Sequence, residues 1–170
     1  MVPPPARTTE IGTDQDFVTE FPAESVTDSK PLLFPFNNHL FQTWCGFGPP
    51  PSYDSGDVSS VTDMNSMFNE CSVFNQDIGS WDVSSVTNMG SMFNSATSFS
   101  QDLSDWDVSN VLAMDYMFYG AEEASEFGVS DWNVSNVEFM IGMFRGAASF
   151  NEDISGWNIT SVTGMQEMFE

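Results

Sequence analysis

Apolar residues recur along this chain with a period of about 25 residues. The tryptophans Trp81, Trp106, Trp132 and Trp157 lie 25, 26 and 25 residues apart. Each of these four tryptophans is followed by two aliphatic residues three positions apart and then by a Met-x-x-Met-Phe motif. Ten of the 11 methionines occupy this motif, namely Met64, Met67, Met89, Met92, Met114, Met117, Met140, Met143, Met165 and Met168. A residue type confined to one repeat position indicates one structural role, and repetition at a fixed period is typical of stacked repeat architectures.

The spacing within one unit predicts a short helix and an extended segment. Apolar residues follow one another in steps of three or four, which places them on one face of a helix. In the second unit these residues are Val86, Met89, Phe93 and Ala96, and Ser85 precedes them at the expected N-cap. No helical period holds before the next Trp, where a strand is expected. We therefore predict an α/β fold: a right-handed, leucine-rich-repeat-like solenoid of ~25-residue strand-turn-helix repeats with a parallel sheet.

The repeats also predict the domain organisation. Full repeats are expected at residues 57–81, 82–106, 107–132 and 133–157, and a partial repeat at 158–170. Residues 36–56 predict an N-terminal cap with a short helix and a loop. Residues 1–35 predict an extended, acidic, proline-rich arm, which would order only against a neighbouring chain or against its own repeats. The third repeat has one extra residue and lacks the Phe that the other repeats carry four positions before the aliphatic residue, here Val129. We therefore expect a longer or bulged loop there.

The charge of the chain excludes several classes of partner. Lys plus Arg number 3 and Asp plus Glu 25, for a formal net charge of −22. Such a chain lacks the cationic surface that binds nucleic acid or anionic lipid. No apolar run approaches the ~18–20 residues of a membrane helix. We expect neither nucleic acid binding nor membrane insertion.

Recurring carboxylates are the best candidates for metal chemistry. Asp77, Asp102 and Asp153 occupy one repeat position, and a second position holds Asp57, Asp82, Asp107, Asn133 and Asn158. Carboxylates of adjacent repeats would repel each other, and a Ca²⁺ ion between Asp77, Asp102 and Asp153 would relieve that repulsion with oxygen ligands. The alternative is that each Asp caps its own turn through local hydrogen bonds. We expect no cofactor other than this possible Ca²⁺.

The sulfur-containing and aromatic residues each allow two interpretations. The Met-x-x-Met motif contains soft ligands that suit Cu(I), but its apolar surroundings favour a core role. The Trp residues would stack on sugar rings if exposed, whereas their spacing from the Val positions favours partial burial. Cys45 and Cys71 are either a disulfide or two buried thiols. Asn133 and Asn158 begin Asn-x-Ser/Thr sequons and are possible glycosylation sites, although the recurrence of the repeat motif explains both.

The repeat motif resembles a known family. The stretches Phe74–Trp81 and Trp81–Phe93 are similar to the repeats of BspA-type leucine-rich-repeat surface proteins, also called the DUF285 repeat, and the likeness covers about residues 57–170. Residues 37–45 and 53–56 resemble the capping helix that precedes such arrays. The resemblance implies an extracellular or surface protein used for adhesion or display, and it transfers no catalytic residues.

These observations predict a non-enzymatic protein at the cell surface. It would mediate adhesion or serve as a structural subunit of a surface assembly, through its solenoid face and its N-terminal arm. Its partners would be other protein chains or copies of itself, bound through the arm and the open C-terminal repeat edge. The alternative is a calcium-dependent carbohydrate-binding module that uses the Trp and Asp positions. The single histidine, His39, and the absence of a nucleophile motif argue against an enzyme.

Overall fold

The computed structural model describes residues 58–123 and 126–170. Over these residues the chain forms no α-helix and no extended strand, and it passes from one tight turn to the next. Single-residue parallel β-bridges connect equivalent positions of successive repeats, at Asp63, Asn88, Ala113, Phe139 and Gly164. The described part contains no helix able to span a membrane. The predicted arm at 1–35 and the predicted cap at 36–56 lie outside the described residues.

The predicted α/β fold, a right-handed leucine-rich-repeat-like solenoid of strand-turn-helix repeats with a parallel sheet, is wrong for residues 58–123 and 126–170. The segment expected to be helical is a series of tight turns. In one of these turns the N–H of Met92 donates to the carbonyl of Met89 at 3.2 Å. Ser91 within it has a φ of 55°, outside the range of a right-handed helix. The N–H of Ser91 donates to the carbonyl of Asp115, in the next repeat, at 2.7 Å.

The helix prediction was wrong because the same residue spacing fits two backbone conformations. Apolar residues at every third position, such as Val86, Met89 and Met92, fit consecutive tight turns as well as one face of a helix. The turns prevail because alternate N–H groups find acceptors in the neighbouring repeat. A short helix would instead leave four N–H and four C=O groups without partners at its ends.

Backbone hydrogen bonds at equivalent positions hold each repeat to the next. The N–H of Met64 donates to the carbonyl of Asn88 at 2.9 Å, and the bonds from Met89, Met114 and Met140 repeat this pattern at 2.8–2.9 Å. A second series runs in the opposite direction. Its bonds, each of 2.8 Å, join Thr87 to Thr62, Leu112 to Thr87, Glu138 to Leu112 and Thr163 to Glu138. These bonds set the register between repeats.

Two rows of stacked phenylalanines form the centre of the core. The first row has ring centroids 5.5–5.8 Å apart and contains Phe68, Phe93, Phe118, Phe144 and Phe169. The second has centroids 5.8–6.2 Å apart and contains Phe74, Phe99, Phe127 and Phe150. Rings of the two rows pair within each repeat at 3.9–4.1 Å. Nine of the ten motif methionines are buried around them, and Met165 is exposed. Core packing accounts for the Met-x-x-Met motif.

In the third repeat a Phe from a different sequence position completes the core, which the sequence analysis did not predict. The Phe predicted to be missing is supplied by Phe127, which stacks between Phe99 and Phe150. Gly128 follows it with a φ of 75°, and a Cβ there would lie 2.9 Å from Cβ and from the backbone N of Ser104. Only glycine fits this position without displacing the neighbouring repeat.

One carboxylate holds this substituted segment. Glu152, in the fourth repeat, accepts hydrogen bonds from four consecutive backbone N–H groups. Its Oε1 accepts from Phe127 and Gly128 and its Oε2 from Val129 and Ser130, at 2.7–3.1 Å for the last three. In other repeats an Asp at the position of Gly128 accepts the equivalent bond of its own turn. Glu152 therefore replaces the missing Asp from the neighbouring repeat.

Candidate interaction surface

One set of surface positions changes character between repeats. In the first two repeats it carries small or polar residues: Thr62, Asp63, Asn65, Ser66, Asn69, Thr87, Asn88, Gly90, Ser91 and Asn94. The equivalent positions of the third and fourth repeats carry several large apolar and aromatic side chains and one arginine. We call these the aromatic patch, and it consists of Leu112, Tyr116, Tyr119, Phe139, Ile141 and Arg145. The buried positions of these repeats do not change in this way, so the difference is confined to the surface.

The apolar part of the aromatic patch lies along the line of β-bridges. Phe139 is a bridge residue that pairs with Ala113 on one side and Gly164 on the other. A Cβ added at Gly164 would lie 3.2 Å from Ile141 and 3.5 Å from Phe139, so these two side chains meet above that glycine. Leu112 is 44% exposed and Phe139 41%. Both are large apolar side chains that are open to solvent.

The aromatic part of the patch adjoins its apolar part in the fourth repeat. The ring of Tyr116 packs on Gly142, where a Cβ would lie only 2.6 Å from Cε1 of that ring. Tyr116 and Tyr119 meet edge to face, with centroids 6.1 Å apart and an interplanar angle of 71°. The guanidinium of Arg145 lies over the ring of Tyr119 at 6.0 Å. The half-buried tyrosines therefore form a platform that ends at a cation.

Carboxylates surround the aromatic patch. Arg145 forms ion pairs with Glu167 and, at 3.4 Å, with Glu170. Asp115 accepts a hydrogen bond from the N–H of Ile141 at 2.8 Å, and Glu138 is exposed beside Phe139 in the chain. Arg145 is the one Lys or Arg residue after position 57. The surroundings of the patch are accordingly acidic, and its single cation is already paired.

The residues predicted to bind Ca²⁺ are each engaged in their own turns. Asp77, Asp102 and Asp153 are exposed, and each accepts the N–H of the residue two positions further on, at 2.9–3.1 Å. Gly128 occupies the equivalent position between Asp102 and Asp153, so the row of carboxylates is interrupted. No cluster of three or more His, Cys, Asp or Glu side chains suited to a metal occurs in the part of the chain that the structure describes. Local capping accounts for these residues, and Ca²⁺ binding stays a prediction.

Three of the tryptophans are core residues that also bond between repeats, and Trp81 is partly buried against the same core. The indole N–H groups of Trp106, Trp132 and Trp157 donate to backbone carbonyls of the preceding repeat at 3.0–3.1 Å. These three side chains are buried. Trp106 and Trp132 stack on each other with centroids 6.4 Å apart. Their ring faces are therefore occupied within the protein.

The other predicted sites lie apart from the aromatic patch. Asn133 and Asn158 are exposed, and the Oδ1 of each accepts bonds from the backbone and hydroxyl of the Ser or Thr two residues on. Cys71 is buried and disulfide-bonded. Cys45 lies outside the described residues. Glycosylation of the two asparagines and the pairing of Cys71 with Cys45 stay predictions.

A family comparison identifies the repeats. The model of the DUF285 family, described as a Mycoplasma protein of unknown function, matches residues 38–127 and 122–170. The chain belongs to the DUF285 family. No curated protein and no solved structure was found to match it.

The aromatic patch of this DUF285 protein was missed in the sequence analysis, although the sequence contains a signal for it. Alignment of the repeats on their Met-x-x-Met motifs shows Asn-Met-Gly-Ser-Met-Phe-Asn in the second repeat and Phe-Met-Ile-Gly-Met-Phe-Arg in the fourth. The departures fall only between and beside the core residues. Repeat positions that differ while the core stays constant are candidates for function, because packing does not determine them.

Acid should weaken the Asp-capped turns of this DUF285 protein. Hydrogen bonds from the hydroxyl and then the backbone N–H of Ser109 hold the pKa of Asp107 below its ordinary value, and its equivalents Asn133 and Asn158 do not titrate. A carboxyl group whose pKa is lower in the folded protein contributes stability that is fully present above about pH 3.9, the pKa of Asp in the unfolded chain. This stability is lost as the pH falls through the pKa of the folded state. We expect wild type to lose stability relative to Asp107→Asn between about pH 4 and pH 2 in urea unfolding.

The reciprocal substitution provides the control. Asn158→Asp places a titratable acceptor in the equivalent turn of the last repeat and should introduce the same acid-dependent loss relative to wild type. A difference between wild type and Asp107→Asn that stays constant over this pH range would show that the turn does not favour the charged carboxylate.

Proposed function

We propose that this DUF285 protein is a non-enzymatic binding protein that contacts other proteins through its aromatic patch. It would act outside the cell or at the cell surface, in adhesion or as a structural subunit of a surface assembly. The observation that carries the proposal is that one set of surface positions holds large apolar and aromatic side chains in the third and fourth repeats, where the other repeats hold small or polar ones. The N-terminal arm is a further contact region within this proposal.

The composition of the aromatic patch supports protein binding. Tyr, Phe and Arg are enriched at the centres of protein interfaces, and the aromatic side chains bury a large area with little loss of conformational freedom. Leu112 and Phe139 expose apolar surface that costs free energy in water and decreases solubility unless a partner covers it. The same fold carries Thr87 and Asn88 at these positions, so the stability of the repeats does not require apolar residues there.

The remaining features favour a surface location and a binding role. The repeat motif is similar to that of BspA-type surface proteins, and the disulfide-bonded Cys71 is typical of oxidising compartments. The charge of −22 argues against nucleic acid and anionic lipid as partners. The carbohydrate-binding alternative is not favoured, since Trp106, Trp132 and Trp157 are buried and their indole N–H groups are engaged.

Site-specific cross-linking in native material tests this proposal. A photoreactive phenylalanine analogue would replace Phe139 in the full chain expressed in its source cells. We expect cross-links from position 139 to other protein chains. The same analogue at Val73, which is 65% exposed in the first repeat, serves as the control and should produce few. Cross-linking at position 139 no greater than at position 73 would contradict the proposal.

The predicted location requires a separate measurement. An antibody against the folded repeats should label intact source cells as strongly as permeabilised cells. Labelling that requires permeabilisation would contradict the surface assignment and leave the protein-binding role to the cross-linking experiment.

A further inference from the structure

We infer that the aromatic patch binds a cationic protein segment, one rich in Lys and Arg that also carries an apolar anchor residue. The inference rests on the proposed function, because it names the chemistry of the partner that the patch would contact. It excludes a second copy of this chain as the main occupant. The argument has three parts, which concern the charge around the patch, its apolar centre and its aromatic rings.

The charge around the aromatic patch selects a cationic partner. The whole chain carries 25 acidic and 3 basic residues. Arg145, the one Lys or Arg among the described residues 58–123 and 126–170, is paired with Glu167 and Glu170 and lies over Tyr119. An approaching protein therefore meets a negative field, which raises the association rate of cationic segments and lowers that of acidic ones. Two copies of this chain would repel each other at the same surface.

The apolar centre of the aromatic patch requires the partner to carry an apolar residue in addition to positive charge. Phe139 and Ile141 meet above Gly164, and Leu112 belongs to the adjoining repeat. An aliphatic or aromatic anchor placed against these side chains would remove apolar area from water on both partners. Interfaces gain most of their affinity from such central contacts, whereas exposed ion pairs at the rim contribute less.

The rim and the tyrosines provide partners for the cations that flank such an anchor. Glu138 and Asp115 lie beside the apolar centre, on adjoining repeats. Tyr119, which meets Tyr116 edge to face, already has the guanidinium of Arg145 over its ring at 6.0 Å. A ring that accepts a cation within the protein shows that its surroundings favour this contact. A segment in which basic residues alternate with apolar ones matches this arrangement.

Binding of defined peptides to the full chain tests the inference. The probes are three short peptides of equal length, in which Leu alternates with Lys, Leu alternates with Glu, or Ser alternates with Lys. We expect the Lys-Leu peptide to bind at least about tenfold more tightly in calorimetry than either control. Its affinity should fall severalfold when the salt concentration rises from about 0.05 M to about 0.3 M.

Substitutions that copy the first two repeats locate the binding site. The double variant Tyr116→Ser and Phe139→Asn introduces the residues found at Ser91 and Asn88, so the repeat should keep its fold. We expect a loss of at least about tenfold in affinity for the Lys-Leu peptide. Val73→Ser removes an exposed apolar side chain outside the patch and should leave the affinity within about twofold. Thermal unfolding of each variant would establish that the fold is intact.

Several outcomes would overturn the inference. These are equal binding of the Lys-Leu and Glu-Leu peptides, equal binding of the Ser-Lys peptide, and unchanged affinity in the double variant. Sedimentation that shows a dimer abolished by Phe139→Asn would identify a second copy as the occupant instead. If position 139 still cross-links to other proteins while the Lys-Leu peptide fails to bind, the cationic partner is wrong and the proposed function stands. Absence of specific cross-links at position 139 would contradict the proposed function itself.

Discussion

Phe118→Ala is expected to lower the free energy of unfolding by about 3–5 kcal/mol. Phe118 is fully buried and stacks on Phe93 at 5.6 Å, Phe144 at 5.7 Å and Phe127 at 4.1 Å. Its removal leaves a cavity in the middle of the array, because the backbone bonds between repeats prevent the neighbouring rings from closing the gap. Urea unfolding followed by tryptophan fluorescence measures the change, since Trp132 lies 6.4 Å from this ring.

Two matched phenylalanines show whether the loss comes from the cavity. Phe169 ends the described row and is 61% exposed, and Phe139 is 41% exposed in the aromatic patch. Phe169→Ala and Phe139→Ala should each cost less than about 1 kcal/mol, because neither leaves an enclosed cavity. In an array where each repeat contacts only its neighbours, a defect in a central repeat weakens two interfaces. Equal losses at positions 118, 139 and 169 would contradict this description of the core.

Glu152→Ala is expected to destabilise the protein by at least about 2 kcal/mol. Its carboxylate accepts the N–H groups of Phe127, Gly128, Val129 and Ser130, and without it these donors lose their acceptor in a partly buried setting. Hydrogen bonds to a charged group are stronger than neutral ones, so the loss should exceed that of an ordinary turn. Urea unfolding measures the global effect. Amide hydrogen exchange should accelerate specifically at residues 127–130.

Two further substitutions separate the hydrogen bonds from the loss of a charge. Glu152→Gln keeps the shape and one acceptor oxygen, so its effect should lie between those of wild type and Glu152→Ala. Glu123→Ala removes an exposed carboxylate from the third repeat and should change the stability by less than about 0.5 kcal/mol. Unchanged exchange at residues 127–130 in Glu152→Ala would show that the carboxylate does not hold this segment in solution.

The repeat unit and most of the core could be predicted from the sequence. The period of the tryptophans and the confinement of methionine to one motif predicted which side chains are buried, because only a stacked array requires the same residue at the same position in each unit. Membership of the DUF285 family agrees with this organisation. The local turn alternative for Asp102 and its equivalents was also accessible, since Asx residues two positions before a Ser or Gly commonly accept its N–H.

The backbone conformation, the core residues of the third repeat and the aromatic patch could not be predicted from the sequence, because contacts between repeats determine them. Steps of three residues permit either helix or turns, and bonds such as that from Ser91 to Asp115 across repeats select the turns. Glu152 and Phe127 lie 25 residues apart, and no local pattern indicates that the carboxylate of Glu152 binds the segment that contains Phe127. The aromatic patch needs Tyr116 to lie on Gly142 in the next repeat. Each of these depends on contacts between repeats, which the spacing within one repeat does not contain.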